Sequence, residues 1–166
     1  MNPWHVVMVV GIALAIVGLT VLAVVRYLKA TTVEWLPLTQ LHDWQYSAPA
    51  GFDLGFLRAA IEKAQECLVH TGWSAQAIVD ATSNVRVLVN SEVRWVDGWG
   101  RRIAGMADVE TGSVEVGRDL SALCHELGHL CLWRIDGVRD DEHGARWQAR
   151  GIERAISAYL AWLQAR

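Results

Sequence analysis

Apolar residues fall into distinct patterns along this chain, and each pattern predicts a different kind of element. From Val6 to Val25 the run VVMVVGIALAIVGLTVLAVV carries no charge and no polar face. As a helix it matches a hydrocarbon core ~30 Å thick. It predicts a transmembrane anchor within residues 1–29, meeting the lipid bilayer through residues 6–25. A secretory signal would place positive charge before the run and small residues at a cleavage site after it. Here Arg26 and Lys29 follow the run, while only the amino terminus and His5 flank its other end. That asymmetry predicts a short outer N-terminus and a domain on the cytoplasmic side. Trp4 and Tyr27 fall at the two interfacial levels. Gly11 and Gly18 are seven apart and do not make G-x-x-x-G, which leaves the oligomeric state open.

Residues 30–52 hold two prolines and no sustained periodicity, and read as a linker whose Trp35 and Trp44 pack on the domain that follows. Helical spacing begins after Asp53, a fitting N-cap, with Leu57, Ile61, Ala64 and Leu68 on one stripe. It ends before Thr71-Gly72, and residues 74–82 predict a further short helix. Three strands are then expected: Val85–Asn90, Arg101–Asp108 after the turn-prone DGWG, and Ser113–Gly117 after the hairpin signal ETG. Val93–Val96 could extend the sheet. From Asp119 to about Ile135 the helical pattern returns, with Gly137 placed to cap it. A last helix is expected over Asp141–Gln164, its apolar side formed by Trp147, Ile152, Ile156, Tyr159, Leu160 and Leu163. The order predicts an α+β domain over residues 53–166, a short and mainly antiparallel sheet packed on helices.

Charge and cysteine usage narrow the role. The net charge is −3, Lys29 and Lys63 are the only lysines, and no run of like charge occurs. This balance argues against a broad nucleic-acid footprint. Cys67, Cys124 and Cys131 are odd in number and form no C-x-x-C. Cys124 and Cys131 stand seven apart on a predicted helix, ~10 Å by helix rise and too far to bridge. All three read as small buried residues of a reducing compartment.

The chemistry lies in LCHELGHLCLWRIDGVRDDEHGARW, Leu123 to Trp147. On a helix, His125 and His129 lie four apart on a single face, where two imidazoles can share one divalent ion. Glu126, beside the first of them, is placed to take a proton from a water at that ion. H-E-x-x-H on a helix therefore points to a zinc hydrolase, in which the ion acidifies water and polarises a carbonyl. The simpler alternative is a surface helix with two solvated histidines. Against it, Leu123, Leu127, Leu130, Leu132 and Trp133 surround the motif and predict a largely buried helix. Gly128 also needs a reason, since glycine inside a helix costs about 1 kcal/mol. A catalytic zinc needs a third protein ligand and an open position. His143 falls in the right zone, and Asp140, Asp141, Glu142 and Glu153 compete with it. The first three acidic residues also suit the N-terminus of the last helix. Arg146, Tyr159 and Asp97 are polar neighbours in sequence, but solvation or capping accounts for each equally well.

The stretch resembles the signature of SprT-like metallopeptidases: His125-Glu126-Leu127-Gly128-His129, then Trp133-Arg134-Ile135-Asp136-Gly137, then His143-Gly144-Ala145-Arg146-Trp147. Upstream, RRIAGMADVETGSVEVG is similar to that family's Ala-Gly-containing strand and the strand after it. The resemblance implies a zincin-like fold, with zinc (Zn2+) held by His125, His129 and His143 and Glu126 as general base. It implies a protein or peptide substrate, with Ser113–Gly117 expected to offer the sheet edge that pairs with it. Members acting on DNA–protein crosslinks carry DNA-binding or zinc-ribbon elements, which the mild acidity and dispersed cysteines of this chain do not match. The expected function is a membrane-anchored zinc endopeptidase. The alternative is a non-catalytic, metal-stabilised, membrane-tethered module that binds a protein partner.

Overall fold

The computed structural model describes residues 16–24, 36–37, 44–90, 103–138 and 143–166. It divides into two units, Met1–Glu34 and Trp35–Arg166. In the first, residues 16–24 form helix α1, whose large apolar side chains from Ile16 to Val24 are exposed. Among the described residues no helix is long and apolar enough to cross a membrane. The rest of the Val6–Val25 run lies outside them, as do Trp4, Arg26, Tyr27, Lys29 and Trp35.

The second unit is α+β. Its elements are β1 (Leu36–Pro37), β2 (Gln45–Ser47), α2 (Leu54–Val69), α3 (Ala75–Ala81), β3 (Arg86–Asn90), β4 (Gly105–Asp108), β5 (Ser113–Gly117), α4 (Leu123–Asp136), α5 (Ala145–Arg150) and α6 (Ile152–Gln164). The sheet runs β1-β2-β3-β5-β4. Expected to be mainly antiparallel, it is mixed. β2 pairs with β3 and β3 with β5 in parallel, and only the outer pairs β1–β2 and β4–β5 are antiparallel. The reason is β2, which lies within the stretch read as a linker. With β2 before α2 and β3 after α3, the two helices become a crossover, the connection that parallel neighbours require. Trp44, just ahead of β2, is 1% exposed and belongs to the core, as expected of it.

A second correction concerns the edge. Ser113–Gly117 is a strand over the expected residues, but β5 lies between β3 and β4 and presents no free side. Among the described residues the edge on that side of the sheet is β4. The hairpin joining the two follows the ETG signal: Asp108 accepts from the backbone N–H groups of Glu110 and Thr111, and Gly112 sits at φ 69°. Residues 93–96 and 101–102 lie outside the described residues.

Local signals set the helices. The Asp53 carboxylate accepts the N–H of Phe56, the N-cap bond that leaves α2's first turn satisfied. Leu57, Ile61, Ala64 and Leu68 are all buried, as their spacing requires. Ser74 caps α3 in the same way. α4 ends on Gly137 at φ 69°, a left-handed cap that a side chain would strain. The single last helix expected over Asp141–Gln164 is two, because Gly151 at φ 66° ends α5 and starts α6.

α4 is the centre of the domain. It packs against α2, α3, α6, β4 and β5, and Leu123, Cys124, Leu127, Leu130 and Cys131 are wholly buried on it. A helix covered on so many sides must be apolar almost all round. The three cysteines are free and buried.

Candidate metal centre

A left-handed turn aims α4 at the sheet. Leu120 has φ 56° and is wholly buried, and its carbonyl accepts the Tyr159 hydroxyl at 3.0 Å. Tyr159 therefore locks the entry to α4 and is not a group of the site. Arg146 is exposed, and Asp97 lies outside the described residues.

Two turns of α4 carry the first pair of histidines. The Nε2 atoms of His125 and His129 are 3.2 Å apart, and that of His143 is 3.0 Å from His125. The metal-binding atoms of the three lie within 4.8 Å of one another, on a half-buried to exposed surface. Nitrogens bound tetrahedrally to one zinc lie ~3.3 Å apart. The set fits such an ion with little movement. His143 adopts φ 68°, a left-handed conformation uncommon for a side-chain-bearing residue, and its carbonyl accepts from the Gln148 amide at 3.2 Å. Burial and the nearby charge of His143, partly opposed by Glu153, hold His125 below the ordinary imidazole value. A neutral ring is the form a metal needs.

Trp147 forms the floor. It is wholly buried, with its ring centroid 5.0, 4.5 and 4.6 Å from those of His125, His129 and His143. Its indole N–H donates to Glu153 Oε1 at 2.9 Å. Glu153, one competitor for the third ligand, is thus engaged by Trp147 and stands outside the convergent set. Asp140, Asp141 and Glu142 lie outside the described residues. The floor also explains Gly128. A Cβ there would meet Ile152 Cγ2 at 2.9 Å and Trp147 Cη2 at 3.3 Å. Close approach of α5 and α6 beneath the histidines needs a residue without a side chain.

Glu126 lies three residues from His129 on the same stripe of α4, where the helix packs on β4. It is 5% exposed, the only buried acidic side chain among the described residues. Burial pushes its carboxyl up to about 8, partly offset by a hydrogen bond from the backbone of Ala107. An ionisable group so buried, with no charged partner among the described residues, is costly for a fold to keep unless it serves a purpose. Gly105 makes the space: a Cβ on it would lie 2.8 Å from Ala122 Cβ, 2.9 Å from the Glu115 carbonyl oxygen and 2.9 Å from Glu126 Oε1.

The sequence pattern singled out His125, His129 and Glu126, and the family resemblance added His143. The pattern missed the floor role of Trp147, although Trp147 follows His143 by four residues, the same spacing as His125 and His129. It also missed Gly105, whose only signal was a glycine inside a strand pattern. Comparison of the chain with protein-family models, with curated proteins and with solved structures gives no match.

Proposed function

We propose that this chain is a membrane-anchored, zinc-dependent endopeptidase of SprT-like, zincin type, with its catalytic domain on the cytoplasmic side. The observation that carries the reading is the convergence of three histidine Nε2 atoms beside a buried glutamate. All-imidazole ligation favours zinc over the hard, oxygen-seeking cations. The resemblance of residues 123–147 to the SprT-like signature supports the same chemistry. The uncharged run over residues 6–25 supports the anchor.

When bound, the ion would polarise the scissile carbonyl and supply a nucleophilic water at neutral pH. His125, His129 and His143 would hold it. With the cation bound nearby, Glu126 would be favoured as the carboxylate, and it would take a proton from the water and pass it to the leaving amine. Trp147 closes the site from below and keeps bulk water from the rings. The backbone of β4, the edge beside Glu126, offers main-chain groups to an extended peptide.

Membranes from cells making the wild type and the Glu126→Gln protein test this reading by a survey of protein N-termini. New N-termini that appear only with the wild type are expected. Identical sets from the two would overturn the peptidase and leave a metal-stabilised binding module.

A further inference from the structure

His143 lies midway between Asp136 and Arg150, seven residues from each. The chain leaves α4 at Asp136, carries His143, and returns through α5 to end that helix at Arg150. There the guanidinium forks back onto the starting point. Arg150 Nε donates to Asp136 Oδ2 at 2.7 Å, and Nη2 to Oδ1 at 2.5 Å. A side-on guanidinium–carboxylate pair fixes direction as well as distance. Asp136 is 9% exposed and Arg150 29%, so water weakens the pair little.

A third residue ties the pair to the rest of the domain. The Trp73 indole N–H donates to Asp136 Oδ1 at 3.2 Å, and the Arg150 guanidinium lies 5.1 Å above the Trp73 ring. Trp73 is 4% exposed and directly precedes Ser74, the N-cap of α3. The clasp therefore has a fixed base.

We infer that the Asp136–Arg150 pair, seated on Trp73, is a clasp that positions His143 as third metal ligand. The inference rests on the three-histidine reading. His125 and His129 need no such device, because one rigid helix sets their spacing. His143 reaches the site from a segment outside that helix and holds a left-handed backbone that an unconstrained chain would leave. Tying the end of α4 to the end of α5 removes freedom that His143 would otherwise lose on binding an ion. Trp147, on the returning limb, is held under the rings by the same closure.

The test is zinc affinity of the full chain in detergent micelles, measured by competition with a chromogenic chelator. Four proteins are compared: wild type, Arg150→Met, His143→Ala and the double variant. Arg150→Met is expected to weaken zinc about tenfold, the scale on which outer-shell partners of metal ligands act. In the His143→Ala background the same change is expected to matter less than about twofold, as for uncoupled sites. Equal losses in both backgrounds would make the pair merely structural, and no loss in either would equally overturn the clasp. A wild type that takes no zinc, or that binds as well without His143, would overturn the three-histidine reading itself. Arg150→Lys, which keeps charge and stem but loses the fork, repeats the cycle should Arg150→Met fold poorly.

Discussion

The Nε2 atoms of His143 and His125 lie 3.0 Å apart, although His125 is on α4 and His143 lies in the turn ahead of α5. Bringing two imidazole nitrogens so close gives little by itself, since a protonated pair would repel. A shared cation turns that closeness into stability. Free zinc at 100 times its dissociation constant should stabilise the folded protein by about 2.7 kcal/mol. Thermal melts with added zinc and with a chelator check this, and the wild type should melt several degrees higher with zinc. The His143→Ala protein should respond less.

Gly128→Ala separates a packing role from simple helix propensity. On an exposed helix the change would stabilise by about 1 kcal/mol. Here the new Cβ presses on Ile152 and Trp147, and overpacking costs about 1–3 kcal/mol. We expect denaturant melts to show a net loss. Zinc affinity should fall about tenfold as the floor shifts under the three rings. A stabilised Gly128→Ala protein would contradict the close packing.

Gly105→Ala acts where α4 packs on β4. Two of the three atoms its Cβ would meet, Ala122 Cβ and the Glu115 oxygen, belong to rigid parts of the fold. β4 must therefore move away from Glu126, with a loss of about 1–3 kcal/mol. Because the nearest atoms to the new Cβ include Glu126 and none of the histidines, zinc content should stay near that of the wild type while peptide cleavage falls. Metal analysis beside a peptide-cleavage assay checks the split.

The Asp136–Arg150 pair makes a pH-dependent contribution. Burial alone would raise the Asp136 carboxyl. Hydrogen bonds from Arg150 and Trp73, with the nearby charges of Arg150 and Arg146, outweigh it and hold the group below its usual 3.8. The unfolded chain is thus protonated first as pH falls. The contribution is full above that ordinary value and disappears as pH drops through the lower native one. Asp136→Asn should cost about 1–3 kcal/mol near pH 6. In urea melts its deficit against the wild type should shrink below about pH 4.

How far the sequence could be read depended on the range of each interaction. Helical stripes, the Asp53 and Gly137 caps and the β4–β5 turn are local, and pattern alone placed them. H-E-x-x-H is local too, since one helix turn sets the His125–His129 spacing. His143 needed the resemblance, because spacing left acidic competitors open. Strand pairing is non-local: nothing in SVEVG states that it joins VRVLVN in parallel and leaves GMAD at the edge. The three-residue β2 was too short to show period-2 alternation. The Gly151 break was in plain view, but the apolar positions on either side of it kept nearly continuous helical spacing. Clashes that explain Gly105 and Gly128 exist only once helices and sheet are packed.

The most direct test of the central claim is the metal content of the purified full chain, with wild type, His143→Ala and Glu153→Ala analysed side by side. The account predicts about one zinc per chain in the wild type and in Glu153→Ala, as expected for a site of three protein ligands. It predicts a marked loss in His143→Ala. Zinc retained without His143, or lost with Glu153 alone, would contradict the three-histidine centre.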